Sequence, residues 1–295
     1  MRSELNKIAL FLLLCTAFYF VVVVRRREVL ESHSNYQLPF RSDYPPDWLD
    51  RRQTVHVAEL TWLEVRDLLN SGYTRVIIPT GGIEQSGPYV ALNKHDIIVR
   101  SISERIAKRL GHTLVAPVVS FVPEGDVSPR SGHMLYPGTI SLRQSTFELL
   151  LQEVIASFVS HGFKEIVLLG DSGDSQQGMA NAAAVVAGWV GPDVRIRYLP
   201  EFYNYDAVRA YLRHEGLEEK SEGIHDELAF TLQLLAIDPS SVRTEQRLKA
   251  GRMSLNGISL TPIEKMVGLG EKIIELRVQA ALEAIAPQKS ETTLP

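Results

Sequence analysis

Apolar residues along the chain fall into two alternating kinds of run. The short kind is continuous and rich in Val, Ile and Leu: Thr74–Pro79, Thr113–Val119, Glu165–Leu169 and Val194–Leu199. Runs of this length between turn residues read as strands buried on both faces. The longer kind has helical spacing. Thr61-Trp62-Leu63-Glu64 places Thr at N-cap and Glu at N3, a capping box that opens a helix to about Asn70. Asp96–Leu110, Ser145–Ser160 and the alanine-rich Gln176–Val190 follow. Helices around Asp206–His214, Asp226–Leu235 and Pro262–Ala286 complete the chain. Strand and helix in alternation predict an α/β fold of three layers, α/β/α, around a mostly parallel sheet. A long loop after the second strand carries Gly125, Pro129, Gly132, Pro137 and Gly138. Compact domains keep such loops for function or leave them disordered.

The N-terminus has a different pattern. Ile8 to Val24 is a 17-residue run without charge, bracketed by Lys7 and by Arg25-Arg26-Arg27. That is near the lower limit for a spanning helix. No Ala-x-Ala site follows, and arginines stand where cleavage is expected. The segment 1–27 therefore reads as an uncleaved single-pass transmembrane anchor; a removed signal peptide with a periplasmic or secreted domain is the alternative. The positive-inside rule leans toward a cytoplasmic domain. Residues 28–56, with Pro39, Pro45 and Pro46, read as linker and arm, 57–286 as one domain and 287–295 as a tail.

Composition narrows the function. At 295 residues and 45% hydrophobic, the chain can bury a sizeable core. A net charge of -4 and no basic stripe in the body of the chain argue against nucleic acid. The single cysteine, Cys15, lies in the N-terminal apolar run, so the domain has neither disulfide nor cysteine metal site.

Four clusters carry candidate chemistry. Ile77-Ile78-Pro79 runs into Thr80-Gly81-Gly82-Ile83-Glu84-Gln85-Ser86-Gly87-Pro88-Tyr89, which puts a carboxylate where open α/β sheets bind ligands. His95 lies eleven residues beyond Glu84, and Glu with His is half of a zinc or manganese site; His95 and Asp96 equally suit a helix start. In Gly170-Asp171-Ser172-Gly173-Asp174-Ser175 the two aspartates can hold a divalent cation or merely cap the next helix. In Gly223-Ile224-His225-Asp226-Glu227, His225 is a candidate general acid or base, and the same residues suit a first helical turn. In the long loop, Gly132-His133-Met134-Leu135-Tyr136-Pro137-Gly138-Thr139 offers His133 and Tyr136 to a substrate, or is a turn. No Gly-x-Gly-x-x-Gly follows any strand, against a dinucleotide-binding reading.

From about Val57 to Ala286 these clusters resemble the creatininase family of metal-dependent amide hydrolases. Its Gly-x-x-Glu-Gln-His-Gly-Pro-His turn is Gly81 to Tyr89 here, with Ser86 in place of the first histidine. Its His-x-x-Phe-Pro-Gly-Thr loop is His133 to Thr139, its Asn-Gly-His-Gly-Gly-Asn turn is Gly170 to Ser175, and its late His-Ala-Gly-Glu region falls on His225-Asp226-Glu227. The resemblance implies a dinuclear site of Glu, His, Asp, His and an acidic residue. Here these positions are Glu84, Ser86, His95 (beside Asp96), Ser172 and Asp174. Such a set implies one divalent ion, zinc, manganese or magnesium, rather than two, held by Glu84, His95 and Asp174. His225, oriented by Glu227 or Asp226, and Asp171 would then serve catalysis. Ser86, Tyr89, His133, Tyr136 and Ser172 would line the substrate space. The implied reaction is hydrolysis of a non-peptide C–N bond in a small amide, cyclic amide or formamide, by a homo-oligomer tethered to a membrane. A catalytically inactive binding or scaffold protein of the same fold is the alternative.

Overall fold

The structure is a computed structural model that describes residues 53–223 and 225–286. The expected anchor, most of the arm and the tail lie outside the described residues. Among those described, no helix is long and apolar enough to cross a membrane.

Eight α-helices and six strands occur in the described residues. They are α1 (Trp62–Asn70), β1 (Arg75–Thr80), α2 (Lys94–Leu110), β2 (Thr113–Val115), α3 (Gln144–Ser160), β3 (Glu165–Gly170), α4 (Gln176–Ala187), β4 (Arg195–Tyr198), α5 (Tyr205–His214), α6 (Leu228–Ile237), α7 (Thr244–Lys249), the hairpin β5–β6 (Ser254–Leu255 and Ile258–Ser259) and α8 (Ile263–Ile285). The capping box forms: Thr61 Oγ1 accepts from the Glu64 N–H, and the Glu64 carboxylate accepts from the Thr61 N–H. The second strand is shorter than its apolar run. Pro117 has no N–H to donate, so regular pairing ends at Val115 and resumes only as the Thr80–Val119 bridge.

The main sheet is parallel throughout, in the order β2-β1-β3-β4. Alternate side chains of its strands serve two separate cores, because successive Cβ atoms point to opposite faces. Ile77, Val115, Val167 and Leu169 pack with Ile98 and Ile102 of α2, Leu232 of α6 and Ile273 and Ile274 of α8. Val76, Ile78, Ile166 and Leu168 pack with Leu68 of α1, Phe147 and Leu151 of α3 and Met179 and Val186 of α4. This is the expected three-layer arrangement. Helix α6 is apolar on all sides and almost wholly buried, and a Cβ added at Gly270 of α8 would stand 2.0 Å from the Leu232 carbonyl oxygen. The glycine thus sets how closely α8 approaches α6.

The strand order places the site. From β1 the chain steps one way to β2; from β3 it steps the other way to β4. The crevice beyond the carboxyl ends of β1 and β3 is therefore the topological switch point, where neighbouring loops diverge and leave room for a ligand.

Candidate metal centre

Both carboxylate turns open at that crevice. The turn after β1 is pinned to the start of α2: the Gly82 N–H donates to Asp96 Oδ1 at 3.0 Å, and a Cβ at Gly81 would meet the same oxygen at 1.8 Å. Asp96 thereby acts on the backbone, while its neighbours Lys94 and His95 project toward Glu84. The glycines are required by this close approach.

Glu84 is buried and faces three basic side chains. The Lys94 ammonium and His95 Nε2 (2.8 Å) both meet its Oε1, and His133 Nε2 lies 3.1 Å from its Oε2. The other nitrogen of His95, Nδ1, is 2.7 Å from Oδ2 of Asp171, at the end of β3. The opposite oxygen of Asp171 accepts from Tyr205 (2.8 Å) and from Arg277 of α8 (2.5 Å). Arg277 also reaches Gln233 of α6 at 2.9 Å. A continuous chain of charge-assisted bonds thus runs from Lys94 to Arg277 through Glu84, His95 and Asp171. Burial alone would raise both carboxyl pKa values. For Glu84, the His95 hydrogen bond and the Lys94 charge override it; for Asp171, the Arg277 charge does. Both are held well below the ordinary carboxylate range.

Glu124 behaves oppositely. It is buried, then faces the charge of Glu84, and its pKa is pushed up to about 9. It is a neutral acid at neutral pH, bonded to Glu84 and Ser172, with its Oε1 lacking a hydrogen-bond partner. A Cβ at Gly82 would stand 2.5 Å from that oxygen.

His225 completes the centre. Its backbone lies in the left-handed region (φ 49°), a strained conformation for a histidine that sites of function tolerate. The Ser86 hydroxyl donates to its carbonyl at 2.7 Å, and its Nδ1 sits 3.0 Å from the Gln85 carbonyl oxygen. Its ring packs against that of His133 at a tilt of 52°, with centroids 4.2 Å apart. Donor atoms of Glu84, His133 and His225 lie within 4.8 Å of one another, the one grouping among the described residues that could hold a metal ion. Burial lowers the pKa of His133, favouring the neutral imidazole that binds metals.

The structure distributes the expected residues unevenly. Glu84 and His95 meet, but both ring nitrogens of His95 already face carboxylates. Asp174 is exposed and lines a cavity of about 690 Å³ with Pro123, Gly125, Asp126 and Arg143. Asp171 is a fully buried member of the charge chain. Ser86 and Ser172 are buried at the centre as hydrogen-bonding groups, the first to His225 and the second to Glu124. Tyr89 lies under the Arg247 guanidinium at 4.8 Å and, with Asp226, lines a separate cavity of about 330 Å³. Asp226 pairs with Arg247 at 3.1 Å and Glu227 lies 3.7 Å from Arg209, so both face arginines. Tyr136 is exposed at the end of the loop turn Gly132–Leu135.

Lys94, Glu124, Tyr205 and Arg277 did not emerge from the sequence. Glu124 had a usable signal, a lone carboxylate ending the apolar run Val118 to Pro123. Lys94 and Arg277 had none, since a lysine at a helix start and an arginine in a helix both read as solvated.

The profile of the family described as creatinine amidohydrolase matches residues 58–282, most of the chain. The chain belongs to the creatininase family. The creatinine amidohydrolase of Pseudomonas putida is 29% identical over 117 residues, 40% of this chain and 44% of that protein. The mycofactocin precursor peptide peptidase of Mycolicibacterium smegmatis is 29% identical over 133 residues, 41% of this chain and 51% of that protein. The chain thus spans about half the length of these relatives. A solved mutant creatininase of Zn-Zn type has the same fold, with a TM-score of 0.60 and 24% identity over 79% of this chain and 98% of that one. In this chain Glu84 Oε1 meets Lys94 and His95, Asp171 Oδ1 accepts from Tyr205 and Arg277, and Glu84 Oε2 faces His133.

Proposed function

We propose that this creatininase hydrolyses a C–N bond of a small amide, cyclic amide or formamide at the crevice beyond β1 and β3. One divalent ion would be held there by Glu84, His133 and His225. The observation that carries this reading is the convergence of those three side chains, with donor atoms within 4.8 Å of one another. Two relatives, named as an amidohydrolase and a peptidase, both break C–N bonds and support the reaction class.

A bound ion would polarise the substrate carbonyl and lower the pKa of water. The protein's own groups supply the rest. Lys94 and His95 hold Glu84 ionised and fixed. The Gln85 carbonyl, accepting from His225 Nδ1–H, leaves Nε2 as the free donor atom. Glu124, protonated at neutral pH, is the group able to pass a proton to the leaving nitrogen as the C–N bond breaks.

The test is metal content and melting temperature after loading with zinc or manganese and dialysis, alongside hydrolysis of an amide and lactam panel. Wild type is expected to retain an ion and melt higher, since a ligand of the native state stabilises it. His133→Ala and His225→Ala are expected to lose both effects. Unchanged metal content in these variants would overturn the ligand assignment.

The Lys94 ion pair on Glu84, with Ser86 and Ser172 at histidine positions of the family pattern, favours a second reading. In it the fold is kept as a metal-free binding or scaffold protein. Absence of bound ion and of any melting shift in wild type would decide for it.

We propose further that residues 1–27 tether the domain to a membrane, supported by the uncharged run Ile8–Val24, and that the domain is a homo-oligomer, by family likeness. Intact mass of protein recovered from a membrane fraction separates a retained anchor from a cleaved signal. Light scattering reads the oligomer.

A further inference from the structure

We infer that the Lys94 ammonium takes the place of a second metal ion, so that the centre is built for one divalent ion beside a fixed protein cation. This rests on the metal-bound reading above. Lys94 is fully buried and its ammonium contacts Glu84 Oε1. Burying an ammonium is costly unless a carboxylate compensates it, so a lysine here serves the centre rather than the surface. Two buried carboxylates, Glu84 and Asp171, face two buried cations, Lys94 and Arg277.

Oxygen by oxygen, the result is the same. Glu84 Oε1 accepts from Lys94 and His95; Asp171 Oδ1 accepts from Tyr205 and Arg277; Asp171 Oδ2 faces His95. Glu84 Oε2, 3.1 Å from His133 Nε2, is directed at the histidine pair. Glu84 Oε1 is closed to a further ion by the Lys94 ammonium and His95.

The experiment is a zinc titration of the full chain by chelator competition, with elemental analysis after dialysis, on wild type and Lys94→Gln. Wild type is expected to hold one zinc per chain. Lys94→Gln is expected to hold one zinc at least about tenfold tighter, because a like charge on the same carboxylate has been removed. Two zinc ions per wild-type chain would overturn the inference, whether or not the variant folds. One ion in each protein with equal affinity would overturn it too. Zinc in the variant but none in wild type would overturn the one-ion count, by showing that the ammonium excludes metal altogether. Zinc in neither folded protein would instead remove the metal-bound reading itself.

Discussion

At the scale of single residues, the centre depends on charges that cannot be removed one at a time. Arg277 touches Asp171, Tyr205 and Gln233 and is almost wholly buried. Arg277→Met strands the Asp171 carboxylate, and loss of about 3–5 kcal/mol is expected in denaturant unfolding. The carboxylates also set the response to pH. Glu84 and Asp171 have folded pKa values depressed below the unfolded ones, so their stabilisation is complete above about pH 5 and is lost as the solution is acidified. Glu124 has the opposite sign. Its folded pKa of about 9 lies above the unfolded value, so its contribution is full in acid and declines as pH rises from about 4 to 9. Glu124→Gln is expected to flatten that decline; denaturant midpoints at pH 5, 7 and 9, taken with chelator present, measure it. An unchanged slope would place the proton elsewhere.

At the scale of elements, two glycines of one helix make a controlled comparison. Gly268 and Gly270 both lie inside α8. A Cβ at Gly268 meets nothing within 4 Å, so Gly268→Ala is expected to stabilise by up to about 1 kcal/mol through helix propensity. A Cβ at Gly270 meets the Leu232 carbonyl of α6 at 2.0 Å, so Gly270→Ala is expected to destabilise despite the same propensity gain. Thermal melts of the two variants should move in opposite directions. The elements themselves were largely legible. Each expected strand and helix of the domain has its counterpart, because buried parallel strands and amphipathic helices leave different periodicities in sequence. The short helix α7 and the hairpin β5–β6 were not legible, since elements of a few residues carry too little periodicity.

At the scale of the whole molecule, the two cores share strands and should melt as one. Ile77 and Ile78 are adjacent and fully buried on opposite faces of β1. Each change to alanine is expected to cost about 2–5 kcal/mol. Trp189 lies in the core on the Ile78 side. Ile77→Ala should nevertheless shift the tryptophan fluorescence transition and the circular dichroism transition together. Separate transitions would mean that the layers unfold independently.

Sequence by itself determined the layers, the parallel sheet and the two turns at its carboxyl edge. These follow from local rules: apolar periodicity, glycine and proline punctuation, and the geometry of strand crossovers. It also singled out Glu84, His133 and His225 as separate candidates. Which of them share a centre was decided only by tertiary structure, because Glu84, His133 and His225 come from three distant loops. The same holds for Lys94 and Arg277. A buried cation is spelled with the same letter as an exposed one, and only the packing around it shows that it balances a carboxylate rather than meets water.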